Sequence, residues 1–262
     1  MPTSLSASRR AVAVTLLGAA ILATATACGT SAPSTSATSN STATASASAQ
    51  PSGNPLAAMT ADQIAAKAAT DFKTVSSVHV TGKVADSGQV ISFNLTLGRK
   101  NCKGEMGIKG EGTFSMVKIG KSLWIKPDDQ FWKYAAGSSL TPAVSQILAG
   151  KYIKPSAKNS SLSPLGSFCS LSQFAASFGI TTSGQANGLV KDGTTTIAGQ
   201  PALRLKDTAN EGFVYVTPSA RTELLRLDAG RSGHLDFSGY NAPLRLTPPP
   251  ASETLDGAKY GF

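Results

Sequence analysis

The strongest pattern along the chain is an alternation of apolar and polar residues that begins near position 77. Residues 77–84 alternate, Asp86, Ser87 and Gly88 supply a turn, and residues 91–97 alternate again through Ile91, Phe93, Leu95 and Leu97. A period of two puts the apolar side chains on one face of a strand, so this stretch predicts a hairpin with one buried face. Residues 105–109, 113–119 and 122–126 continue in the same way, separated by Gly110, Gly112 and Gly120. The pattern returns in residues 193–197, 201–205, 212–216, 223–227 and 233–237.

Three stretches follow helical spacing instead. In the first, Thr60 can cap a helix with apolar positions at 64, 65, 68, 69 and 72. In the second, residues 141–149 have Thr141 as cap, Pro142 in the first turn and Gly150 as stop. In the third, residues 170–178 carry Leu171, Phe174, Ala175 and Phe178 on one side. Asp128 and Asp129 read as a solvated turn before an aromatic cluster of Phe131, Trp132 and Tyr134, and residues 151–155 lead into a polar loop. Helix, strands, two short helices and strands predict an α+β fold: one large antiparallel sheet with helices grouped on one face.

Ahead of this lies a different kind of sequence. Ser8, Arg9 and Arg10 precede an apolar run over residues 16–29, which closes on Ala25, Thr26, Ala27, Cys28 and Gly29. A basic start, an apolar middle and small residues form a secretory signal, and the run falls short of the roughly 20 residues that span a bilayer. A cysteine at the cleavage position resembles the lipobox of bacterial lipoproteins, with Ala25 where leucine is usual. That resemblance implies cleavage after residue 27 and a lipid on the Cys28 thiol. An ordinary secretory peptide with Cys28 as a free thiol is the other reading. Residues 30–55 contain no charged and no aromatic residue. They cannot bury enough apolar surface to offset their ordering entropy, and read with Cys28 as a disordered stalk over 28–55 extending about 30 Å. The expected organisation is therefore a signal at 1–27, the stalk at 28–55 and one domain at 56–262.

Charge and cysteines narrow the partners. The 262 residues carry 24 Lys and Arg against 15 Asp and Glu, a net charge of +9. The cations are scattered singly, which disfavours a nucleic-acid groove and suits a protein held near anionic headgroups or acidic wall polymer. With Cys28 lipidated, Cys102 and Cys169 remain as an even pair in an oxidising compartment. A bridge between them would stabilise by about 4 kcal/mol in the chain-entropy limit; two buried free thiols are the alternative.

No catalytic constellation emerges. His79 and His234 each sit in an alternating segment and read as two separate strand residues. No nucleophile elbow, zinc-protease motif, phosphate loop or dinucleotide fingerprint occurs. An enzyme, a metal site and a cofactor are therefore not expected. Asn40, Asn94 and Asn159 match the glycosylation sequon, which carries little meaning in a bacterial export context. A broad sheet curving around few helices can instead leave an apolar cavity. Phe93, Leu95, Met106, Ile108 and Ile125 from strands, with Ile147, Phe174 and Phe178 from helices, are the residues expected to line it or to close-pack into a core.

The stretches Ser76-Ser77-Val78-His79-Val80-Thr81-Gly82, residues 118–126, Phe131-Trp132, residues 197–202 and Val214-Tyr215-Val216 resemble actinobacterial envelope lipoproteins. These are related to the LppX/LprG-type lipid carriers and more distantly to the LolA/LolB lipoprotein carriers. The resemblance implies a half-barrel of antiparallel strands with helices on its concave face, enclosing an apolar cavity. It further implies a lipid or glycolipid ligand on the extracytoplasmic face of the bacterial cell membrane. The rival function is a non-enzymatic envelope module of the same fold that binds a protein partner.

Overall fold

In the computed structural model the first helix among the described residues has its start written in Thr60. Its hydroxyl accepts from the Gln63 amide at 3.2 Å, while the Gln63 side chain accepts from the Thr60 amide at 2.8 Å. This reciprocal cap satisfies two amides that a helix start leaves without partners. Helix α1, Ala61–Thr74, buries Ala61, Ile64, Ala68, Ala69 and Phe72 along one side. The structure describes residues 54–137, 140–156, 163–180 and 188–260, all within the compact unit Gln50–Phe262. The signal, Cys28, the stalk up to residue 53, Asn40 and Asn159 lie outside the described residues.

The strands are β1 (Ser77–Asp86), β2 (Gln89–Gly98), β3 (Asn101–Ile108), β4 (Gly112–Ile119), β5 (Ser122–Pro127) and β6 (Tyr152–Lys154), then β7 (Leu189–Ile197), β8 (Gln200–Asp207), β9 (Phe213–Val216), β10 (Leu224–Asp228), β11 (Gly233–Ser238) and β12 (Thr254–Asp256). They form a single open sheet in the order β12-β6-β5-β4-β3-β2-β1-β11-β10-β9-β8-β7. Every pairing is antiparallel except that of β12 with β6. The sheet is thus mixed rather than wholly antiparallel, because the C-terminal strand lies alongside β6 in the same direction. Positive φ angles at Gly82 and Gly104 let the sheet bend: a Cβ at either would run into the carbonyl oxygen of His234 or of Asn94.

The expected helices at 141–149 and 170–178 are α3 (Pro142–Leu148) and α4 (Leu171–Ser177); α2 (Asp129–Ala136) comes before them and was not anticipated. Its N-cap is Asp128, which takes the amide of Phe131 at 2.7 Å on one oxygen and the amide and hydroxyl of Thr113 at 2.8 and 2.9 Å on the other. The pair that reads as a turn therefore starts a helix and ties it to β4, since Asx chemistry serves both purposes. Strands β6 and β12 were also unanticipated, each being only three residues long.

One face of the sheet is apolar. Val78 and Val80, Phe93 and Leu95, Met106, Phe114, Ile125, Leu205, Val216 and Leu235 are buried in one continuous cluster with the helix side chains. Phe72 of α1 meets Phe237 and Tyr240 edge-on at 5.9 and 6.4 Å. The edge strand β7 is largely exposed and bears Lys191, Asp192 and a run of threonines, a polar composition that discourages pairing with another chain.

Candidate functional site

The residues proposed to line a cavity divide into three groups. Phe93, Leu95, Met106, Ile125 and Phe174 are buried together on the concave side. Phe178, at the end of α4, is half-buried and completes a ring cluster: Phe93 lies 5.9 Å from Phe174, 5.6 Å from Phe178 and 6.0 Å from Phe168, and Phe174 lies 4.6 Å from Phe178. Ile108 has the same strand parity as Met106 but sits at the end of β3, half-buried in an open cleft with Lys83, Val90, Asp128 and Gln130. Ile147 stands 46% exposed on α3, which buries Leu148 instead.

A disulfide joins Cys102 of β3 to Cys169, with Cα atoms 5.1 Å apart, and so fastens the start of α4 to the sheet. The Met116 sulfur packs 3.2 Å from the Cys169 sulfur. This bridge and the ring cluster fill the concave space over β2, β3 and β4.

An apolar opening lies on the other side of Phe178. There Phe178 and Leu189 face Val84, Val214, Leu227 and Leu235 across a cavity of about 190 Å³, rimmed by Asp207, Asp228 and His234. We refer to this opening as the mouth. Leu189, Val214, Leu227 and Leu235 were not picked out from sequence. The available signal was their place in the alternating segments, but which strand ends converge depends on the order of strands in the sheet.

At the opposite end of the strands an open cleft of about 570 Å³ is lined by Lys118, Lys121, Lys154, Ser122, Ser167 and Gln173, among others. Lys118 donates to the Gly166 carbonyl at 2.9 Å, and burial pulls its pKa below the usual lysine value.

Elsewhere polar groups serve the scaffold. On the convex face Arg226 pairs with Asp236 through two nitrogens, at 2.5 and 3.1 Å, and this hydrogen bonding raises the guanidinium pKa. Tyr240 donates to the Leu224 carbonyl, and burial pushes its hydroxyl pKa well above the usual value. The two histidines stay apart. His79 contacts Thr96 at 3.1 Å, and His234 lies 3.5 Å from Asp236. His79 faces Ser238 and His234 faces Lys83 across the same strand pair, which separates them by four residues, or about 13 Å along a strand. Among the described residues no cluster of three or more His, Cys, Asp or Glu could hold a metal ion, and no helix is long and apolar enough to cross a membrane.

An open concave sheet with helices on one face defines an α+β half-barrel. Among solved structures, the chain is similar to LprF from Mycobacterium bovis, with 12% identity over 72% of this chain and 96% of that one and a TM-score of 0.48. It is also similar to a DUF1329 family protein from Desulfovibrio piger, with 11% identity over 71% and 93% of the two chains and a TM-score of 0.22. No protein-family model and no curated protein matches the sequence.

Proposed function

We propose that the chain is an extracytoplasmic lipoprotein, anchored through lipid on Cys28, whose half-barrel binds an acyl chain of a lipid or glycolipid without catalysing a reaction on it. The observation that carries this reading is the mouth, where apolar side chains of five sheet strands and Phe178 face an open space. At about 190 Å³ it compares with the apolar cavity of about 150 Å³ that accepts benzene, and falls below the roughly 300 Å³ at which ligand pockets usually begin. It is therefore sized for the end of one chain, with Phe178 between that end and the filled interior. The ring cluster favours a second reading, a non-enzymatic envelope module whose packed core presents its surface to a protein partner.

The test is mass spectrometry of lipid carried by the full chain purified from membranes, compared with Leu227→Trp. A larger ring in a close-packed core costs about 1 to 3 kcal/mol. A ring entering the mouth should leave the urea midpoint almost unchanged and reduce bound lipid several-fold. Lipid absent from the parent, with a large loss of stability in the variant, would leave the partner-binding module as the better account. The anchor is tested separately: Cys28→Ser should move the protein out of the detergent phase.

A further inference from the structure

We propose that the end of the half-barrel opposite the mouth docks on the anionic headgroups of a lipid bilayer. The strand register sorts the connections into two ends. The β2–β3 turn, the β4–β5 turn, the end of β6 and the β9–β10 loop lie at one end. They carry Arg99, Lys100, Lys118, Lys121, Lys154 and Arg221, against Glu223, Asp256 of β12 beside Lys154, and Asp71 of α1, which accepts from the Thr222 amide at 2.8 Å. The β1–β2, β3–β4, β5–α2, β8–β9 and β10–β11 connections lie at the other end, beside the mouth. Each of the five bears a carboxylate, namely Asp86, Glu111, Asp128, Asp207 and Asp228, against the cations Lys109 and Arg231, with Lys151 before β6 as a further cation at this end. The molecule is thus electrically polar along its strands.

The carboxylates at the basic end do not take up its cations in ion pairs, Asp71 pairing with Lys67 of its own helix instead. None of its six cations forms an ion pair among the described residues, whereas Arg231 at the acidic end has Glu211 at 3.9 Å. Arg99 is spent on the Thr74 carbonyl and Lys118 on that of Gly166, both of which leave the charge in place. Lys118, Lys121 and Lys154 converge on the open cleft of about 570 Å³, which has room and donors for a phosphate headgroup. Each basic residue held at an anionic leaflet strengthens association about fivefold, through an interaction that salt screens.

The tether permits this orientation. The described chain starts at Asn54 beside β7 at the mouth end, where Lys191 donates to the Ala57 carbonyl at 2.7 Å and the Leu189 amide donates to Asp62 at 3.1 Å. The residues from Cys28 to Asn54 can reach up to about 86 Å. A ten-residue strand spans about 33 Å. Either end of the domain can therefore meet a surface that holds the N-terminal segment, and charge selects the basic one. This inference rests on the proposed membrane location and not on lipid uptake, so lipid extraction and the experiment below can fail separately.

The experiment is amide hydrogen exchange on the full chain, reconstituted through its own N-terminal segment. The vesicles are either equal parts phosphatidylglycerol and phosphatidylcholine, or phosphatidylcholine alone. Exchange at residues 99–101 and 120–121 should slow several-fold on the anionic vesicles only and recover in molar salt, while residues 86–88 stay unchanged. Lys100→Glu combined with Lys121→Glu should abolish the protection at an unaltered melting temperature. Equal exchange on the two vesicle types, or protection at residues 86–88, would overturn the proposal. Protection by soluble polyphosphate with none from vesicles would also overturn it, pointing to a wall polyanion instead.

Discussion

The two halves of the concave face are covered by different means. Over β7, β9 and β10 lies α1, a 14-residue helix with a reciprocal cap, five buried side chains and a last-turn lysine that suits the helix dipole. Over β2, β3 and β4 lies α4, seven residues long, whose N-cap Ser170 makes no capping hydrogen bond with its side chain. What α4 lacks in local helix signals it has in the Cys102–Cys169 bridge and in Phe174, which is fully buried. One cover is held by sequence that favours helix on its own account; the other is held by a covalent link and a few aromatic rings. Short helices are marginal in water, so the second arrangement depends on tertiary anchors.

That contrast can be broken at its strongest point first. Phe72→Ala removes the ring that meets Phe237 and Tyr240 and should cost about 3 to 5 kcal/mol in urea unfolding. The accompanying loss of exchange protection should concentrate in β9 to β11. If protection falls equally over β2 to β4, the two covers are not separate. Replacing both Cys102 and Cys169 by alanine should cost about 2 to 4 kcal/mol, and protection should fall chiefly in α4. Two thiols that alkylate in the unfolded chain without reductant would show that the bridge does not form in the native protein.

Asp128→Ala should cost about 1 kcal/mol at neutral pH, as loss of a helix cap typically does. Burial raises the Asp128 carboxyl, but the hydrogen bonds from Phe131, Thr113 and Gln130 together hold it below its ordinary value of 3.8. A depressed pKa stabilises fully above the unfolded value and is lost as pH falls through the folded one. The gap between parent and variant should therefore be constant above about pH 4 and close below it; a gap that persists in strong acid would sink this account. Thr60→Ala should have the smallest effect, about 0.5 to 1 kcal/mol, visible as faster exchange in the first turn of α1.

The same contrast explains what could be read from the sequence. Helix α1 and the strands β1, β2, β4 and β5 were legible because period and cap agree over many residues. Helix α2 was not, because Asp128 and Asp129 suit a turn as well as an N-cap and the aromatic residues after them suit either state. Strands β6 and β12 are too short for alternation to register. The cysteine pair was legible from its even count when Cys28 was set aside as the expected lipid site. Of the eight residues expected around a cavity, five are buried together and Phe178 and Ile108 are half-buried. Ile147 faces out because a seven-residue helix has room to bury only one side, here through Leu148. The mouth was illegible for a different reason: Leu189, Val214, Leu227 and Leu235 meet only after strands distant in sequence have been ordered.

The pairing of β1 with β11 bears on how the chain acquires its shape. These strands lie side by side near the middle of the sheet, yet Val84 and its partner Gly233 are separated by about 150 residues. The hairpins on either side can form early, but they remain two unjoined ribbons until the segment around residues 233–238 arrives. Joining them requires closing a very long loop before the contact is rewarded, which makes the last step of folding slow. A chain still being threaded through a narrow channel therefore cannot lock into its final form prematurely, and completion waits for almost the whole polypeptide to emerge.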